Sequence, residues 1–266
     1  MHGRPETASP VVVDRRDGPY GEVVLRRRGK DTEDAAAGAA TDDPAIYEII
    51  ANGCFLMDTS DGRSERLLVD AALDALGAPA QTDRPALSLL LGGLGVGFSL
   101  ARAVAEPRWG RITVVEREAT IVDWHRDGPL AAFSAYALGD PRVRVVRDDL
   151  VTYVHRAADT AADATDAATA ATADTYDALC LDIDNGPDWT VTENNGSLYS
   201  PSGLTACREL LNPGGVLAVW SARPSAEFEA ALRGAEFATV RTIEVPVTRG
   251  VPDAVHLAVK ACAQAT

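Results

Sequence analysis

Apolar residues along this chain change their spacing twice, and each change marks a change of architecture. Up to about residue 60 they fall in strand-like runs, Val11 to Val13, Glu22 to Arg26 and Ile46 to Met57. The interruption from Asp31 to Pro44 is rich in Ala, Asp, Thr and Gly and reads as a flexible hairpin insert. From Ser64 to Leu76 the period becomes helical, with Leu67, Leu68, Ala71, Ala72 and Leu76 on one face. From Ala86 onward strand-like and helix-like stretches alternate, the pattern of a parallel sheet covered on both faces. The strands expected are Leu87 to Leu91, Ile112 to Glu116, Val143 to Arg147, Ala178 to Ile183 and Val216 to Trp220. Two more, Ala238 to Val245 and Val255 to Lys260, are joined by Pro246 to Asp253 and suit an antiparallel hairpin. The expected division is a small β-rich domain over 1–62 and a larger α/β domain over 63–266. Within the latter, 157–175 is an Ala/Thr/Asp tract with no reason to pack, although alanine can extend the preceding helix.

The first α/β strand empties directly into Gly92-Gly93-Leu94-Gly95-Val96-Gly97, followed by a helix-like stretch, Phe98 to Ala105. The next apolar run closes on Glu116. Strand, glycine turn, helix, and a second strand ending in an acid form a nucleoside-binding device. The glycines let backbone approach a ligand where a Cβ would collide, and the acid can accept both hydroxyls of a ribose. Gly93-x-Gly95-x-Gly97 is GxGxG, and Phe98 stands where the GxGxxG of a dinucleotide site needs its last glycine. That form is commoner for S-adenosylmethionine-type ligands. A purely structural turn is the alternative.

Charge and composition narrow the partners. A formal net charge of −14 argues against nucleic acid, and the densest basic run, Arg26-Arg27-Arg28 with Lys30, is short. The four cysteines have no CxxC spacing, so neither a zinc site nor a disulfide framework is indicated, and no metal is expected. Cys180 and Cys262 fall in apolar runs and read as small buried hydrophobes. No apolar stretch approaches the ~20 residues of a membrane span. The N-terminus lacks the regions of a signal peptide; a cytoplasmic protein without membrane partners is expected. His125 has no second ligand at metal spacing and reads as a surface or half-buried histidine, as do His155 and His256.

From Tyr20 to Ser221 the chain resembles the spermidine synthase family of aminopropyltransferases. The resemblance rests on Tyr20-Gly21-Glu22-Val23-Val24-Leu25, Ala51-Asn52-Gly53-Cys54-Phe55-Leu56-Met57-Asp58 and the glycine turn. It continues through Val114-Val115-Glu116-Arg117-Glu118, Asp140-Pro141-Arg142-Val143-Arg144-Val145 and Tyr176-Asp177-Ala178-Leu179-Cys180-Leu181-Asp182. Leu198-Tyr199 and Leu211-Asn212-Pro213-Gly214-Gly215-Val216-Leu217 complete it. It implies an α/β, Rossmann-like class I methyltransferase fold with a mostly parallel seven-stranded sheet, preceded by a small β-domain. The co-substrate implied is decarboxylated S-adenosylmethionine or S-adenosylmethionine, the acceptor a small amine, the assembly a homodimer. Gly93, Gly95, Gly97, Glu116 and Asp148 would hold the nucleoside, with Glu116 on the ribose and Asp148 on the adenine amino group. A helix N-cap is the plainer reading of Asp148. Asp182 matches the first acid of the family's Asp-x-x-Asp-Pro motif and would orient and deprotonate the amine; a loop-capping Asp is the plainer reading.

Three departures bear on substrate. Asn185 and Gly186 stand at the family's second acid and proline, with Asp184 one residue off register. Gly95 stands where the family's turn carries an acid that disfavours the carboxylate of intact S-adenosylmethionine. Asp61 to Leu68 replaces a Tyr-His-Glu or Tyr-Gln-Glu segment and offers no aromatic wall, while Arg63 and Arg66 would repel a polyamine. Methyl transfer and nucleoside binding without turnover therefore stand beside aminopropyl transfer. The loop Asp184 to Asn195 carries Trp189, which reads either as part of a lid or as a loop anchor.

Overall fold

The computed structural model describes residues 10–29, 45–77, 86–162, 174–248 and 250–262. The expected insert Asp31 to Pro44, and 163–173 of the Ala/Thr/Asp tract, lie outside the described residues. The chain divides into two compact units, Met1–Gly62 and Arg63–Thr266.

In the first unit β1 (Val11–Gly18), β2 (Gly21–Arg28), β3 (Ile46–Ala51) and β4 (Cys54–Asp58) form an antiparallel sheet in that order. The run Ile46 to Met57 is thus two strands rather than one. Asn52 and Gly53 separate them, both at positive φ (50° and 79°). A two-residue hairpin turn requires that backbone, and Asn-Gly adopts it most readily. The Asn52 side chain accepts from the Glu22 N–H at 3.0 Å and donates to the Tyr20 carbonyl at 3.1 Å, linking both hairpin turns.

In the second unit α1 (Arg63–Ala75) precedes β5 (Leu87–Gly92), α2 (Phe98–Val104), β6 (Trp109–Val115), α3 (Ala119–Arg126) and α4 (Ala131–Leu138). Then come β7 (Val143–Val146), α5 (Leu150–Ala162), β8 (Tyr176–Leu181), a 3-10 segment (Glu193–Tyr199), α6 (Pro201–Leu210) and β9 (Leu211–Ser221). The chain closes with α7 (Ala226–Gly234), β10 (Thr239–Val245) and β11 (Asp253–Val259). The alanines after Tyr153 do extend α5, as far as Ala162. The seven-stranded sheet has the order β10-β11-β9-β8-β5-β6-β7. It is parallel except for β11, which runs against both neighbours. The mixed α/β fold, with its mostly parallel sheet and an antiparallel sheet ahead of it, is as the sequence predicts.

Helices on both faces explain why β5, β6, β8 and β9 read as near-continuous apolar runs. On one face Leu90, Leu179, Leu181, Leu217 and Val219 join a core supplied by α5, α6 and α7. On the other, α1 buries Leu68, Val69, Ala71, Ala72 and Leu73, and the Cys180 thiol meets the Leu68 carbonyl at 3.8 Å. Residues alternate between faces along a strand, so Asp182, two beyond Cys180, emerges on the α1 side. Cys207 is also buried, whereas Cys262 lies past the end of β11 and is exposed, against expectation.

The hydroxyls of Tyr153 on α5 and Tyr176 on β8 bond one another at 2.6 Å inside the core. Tyr153→Phe or Tyr176→Phe leaves one buried hydroxyl unpaired and is expected to cost about 1–3 kcal/mol of stability. The double variant is expected to lose less than the sum, measured by denaturant unfolding of all four proteins. Strictly additive losses would show that the two hydroxyls do not act as a pair.

Candidate functional site

β5 sends its chain to β6 on one side while β8 flanks it on the other, so strand order reverses at β5. Open α/β sheets form a crevice at the carboxyl ends of the strands where this happens. The glycine turn leaves β5 at this point. Gly93 donates its N–H to the Val115 carbonyl at 2.9 Å, and Asp182 donates its own to the Gly92 carbonyl at 2.9 Å. A Cβ on Gly93, at φ 94°, would stand 2.5 Å from the Asp182 carbonyl oxygen. The glycine is demanded first by the neighbouring strand.

Glu116 is buried, 7% exposed, and its carboxylate organises the turn. One oxygen accepts from the Leu94 N–H at 2.9 Å, the other from the Glu118 N–H at 2.8 Å. Burial pushes its pKa up, and the two amides oppose that shift. Gly95 and Gly97 follow at φ 51° and 92°, the latter at the start of α2. Asp148 lies just beyond β7, next along the same edge. Its carboxylate takes the Arg156 guanidinium at 2.7 Å and the Asp149 N–H at 2.9 Å. The N-cap of α5 is Asp149, which accepts from the Thr152 N–H at 3.0 Å. The capping role weighed for Asp148 belongs to its neighbour.

Asp182 is half-buried and accepts from the Ser99 hydroxyl at 3.0 Å. Ser99 also lies 3.3 Å from the Glu65 carbonyl, so its single proton serves two acceptors. Ser64 is in the same position, 3.2 Å from the Glu65 carboxylate and 2.8 Å from that of Asp253. Acceptors here outnumber hydroxyl protons. Burial, then the fields of Asp182 and Asp253, push Glu65 up to about 8. Burial, then Asp253, push Asp182 up to about 6, with the Ser99 hydrogen bond opposing. The region is a cluster of carboxyls that hold their protons more tightly than ordinary ones.

The sequence reading did not pick out Glu65, Asp253, Ser64 or Ser99. Glu65 had a visible signal, since it lies three and four residues before Leu68 and Val69 on the apolar stripe of α1. Arg66, expected to repel a cation, is stacked on Phe98 with its guanidinium carbon 4.4 Å from the ring centroid. His125 and His256, read as surface or half-buried, are both wholly buried. His256 bonds Thr242 at 2.8 Å within the terminal hairpin. His125 joins the glycine turn: Nε2 lies 2.7 Å from the Gly95 carbonyl and Nδ1 contacts the Ser134 hydroxyl.

The loop after Asp182 folds on itself. Asp184 sits in the left-handed region (φ 53°), its carboxylate accepting from the Asn195 side chain at 2.8 Å and the Thr192 N–H at 3.4 Å. Arg117 donates to the Thr192 hydroxyl at 2.7 Å, tying the loop to the end of β6. A Cβ on Gly186 would stand 2.5 Å from the Ser221 hydroxyl oxygen, which leaves no room for a proline ring. Trp189 is 60% exposed and therefore does not anchor the loop. Among the described residues no group of three His, Cys, Asp or Glu is placed to hold a metal ion, and no helix is long and apolar enough to cross a membrane.

No family model and no curated protein matches this sequence. Solved structures do match. A crystal structure of spermidine synthase in complex with the transition-state analogue AdoDATO matches with a TM-score of 0.67 and 14% identity, over 95% of this chain and 75% of that one. A crystal structure of spermidine synthase from Thermotoga maritima matches with a TM-score of 0.65 and 14% identity, over 95% and 74%. The chain thus has the fold seen in spermidine synthase.

The raised carboxyls carry a pH signature. Between the ordinary carboxyl range and about pH 8 the native state keeps a proton on Glu65 that the unfolded chain releases, so this group's contribution to stability falls as pH rises through that window. Glu65→Gln removes the contribution. The variant's melting temperature is expected to gain several degrees on wild type between about pH 5 and about pH 9. Parallel melting curves across that range would show that Glu65 ionises as in the unfolded chain.

Proposed function

We propose that the protein is an aminopropyltransferase of the spermidine synthase kind, transferring an aminopropyl group from decarboxylated S-adenosylmethionine to a small amine. One observation carries this reading. A half-buried carboxylate, Asp182, stands at the reversal of strand order beside the glycine turn, within a basin of further carboxylates. The fold is that of spermidine synthase, and AdoDATO is bound in one of the similar structures.

In this reading the turn at Gly93, Gly95 and Gly97 receives the adenosyl thioether, and Glu116 meets the ribose hydroxyls with the lone pairs left by its two amide bonds. Asp148 faces the adenine amino group. The amine nitrogen attacks the carbon beside the sulfonium; the carbon–sulfur bond breaks, its electrons neutralise sulfur, and methylthioadenosine leaves. Sulfonium is already a good leaving group, so the protein's task is to align the amine and remove its proton. Asp182, with its pKa raised, holds that proton better than an ordinary aspartate. Asp253 adds negative potential that favours an ammonium and disfavours a carboxylate tail, and Glu65 joins it only as pH rises through about 8.

Methyl transfer from intact S-adenosylmethionine is the second reading. It draws on Gly95, which has no side chain to repel the amino-acid carboxylate. Product analysis separates the two: methylthioadenosine is expected, S-adenosylhomocysteine would move the assignment to methyl transfer, and neither product would overturn both. Asp182→Asn is expected to lower turnover by about 10²-fold or more while nucleoside affinity persists. Glu116→Ala is expected to lose the affinity itself. In wild type the rate is expected to rise with pH through about 6, as the Asp182 carboxylate becomes available. Near-full turnover in Asp182→Asn would remove that residue from the chemistry.

A further inference from the structure

A turn containing three glycines is floppy on its own, and a ligand that orders it meets that entropic cost at binding. Something rigid must hold this one. Helix α3 supplies His125, wholly buried with both ring nitrogens engaged. The Gly95 carbonyl can only accept, so the proton of the neutral ring is on Nε2. Nδ1 is then a bare lone pair, and the Ser134 hydroxyl donates to it. Burial holds the pKa of His125 below the usual range, keeping the neutral form that this arrangement needs. Packing says the same. A Cβ on Gly97 would stand 2.9 Å from Ser134 Cβ and 3.2 Å from His125 Cε1, so the turn rests directly on the pair.

We propose that His125 is a positioning residue that fixes the peptide plane between Gly95 and Val96, and thereby holds the glycine turn in the shape that receives an adenosyl ligand, with Ser134 donating to the other ring nitrogen and holding the ring in place. The peptide unit is planar, so a fixed carbonyl also fixes the amide that follows it. The inference rests on the adenosyl-site reading above. It adds a pair of residues that touch neither ligand nor reacting atoms.

The test is calorimetric titration with methylthioadenosine, for wild type, His125→Leu, His125→Gln and Ser134→Ala, each well below its melting temperature. His125→Leu is expected to weaken binding about tenfold, the worth of one buried hydrogen bond. His125→Gln, whose amide can again donate to the Gly95 carbonyl, is expected to recover most of that loss, which a packing role alone would not produce. Ser134→Ala is expected to lose about threefold in affinity, with the ¹⁵N spectrum still placing the proton on Nε2 of His125. A folded Leu variant with wild-type affinity, or Leu and Gln variants equally weak, would overturn the proposal. Should the Leu variant not fold, Ser134→Ala with unchanged affinity, or a wild-type spectrum with the His125 proton on Nδ1, would overturn it just as well. If wild type itself binds no adenosyl compound, the adenosyl reading fails and the inference with it, a result separable from failure of the variants alone.

Discussion

At position 93 there is room for a hydrogen and nothing larger. The main chain just past β8 passes so close that the Asp182 carbonyl fills the place of a side chain, and both strand ends are tied by backbone hydrogen bonds. Everything at the site follows from this approach. It sets the turn beside the residue that follows β8, brings Leu94 within reach of Glu116, and starts α2 where Ser99 faces Asp182. A larger residue would have to push apart two backbones in the middle of a buried sheet, and close-packed interiors resist such shifts.

The same crowding creates the electrostatics. Asp182 emerges on the face covered by α1, which brings Glu65 to it, while the start of β11 brings Asp253. The two serine hydroxyls are each shared between two of these acceptors. Carboxyls crowded together and partly shielded from water retain protons or gather cations. An ammonium group supplies such a basin with both charge and donors, which is the physical basis of the proposed amine chemistry. Asp184, by contrast, is occupied in holding its own loop closed, so it does not replace the acid expected at position 185.

Sequence patterns disclosed what is local. Strand, glycine turn and helix lie within a few tens of residues, and the parallel sheet shows as apolar runs at regular distances. Glu116 and Asp182 stand out in the sequence because each follows directly on the apolar run of a strand. Features built from distant pieces were hidden. Asp253 meets Ser64 across 189 residues of chain, with nothing nearby to mark it. His125 shares the buried stripe of α3 with Ile121 and Val122, but its partners lie 30 residues before it and nine after. Adjacent acids also defeated pattern reading, since Asp148 and Asp149 differ in role only through which one faces Thr152. The Asn52-Gly53 turn was different: its signal was present, and an apolar run on both sides masked it.

A crystal structure with methylthioadenosine bound tests the central claim most directly. The ribose hydroxyls are expected on the Glu116 carboxylate, with the thioether sulfur beside the glycine turn and its methyl side open toward Asp182. A nucleoside seated elsewhere on the protein, or a crevice still empty at millimolar ligand, would contradict the account.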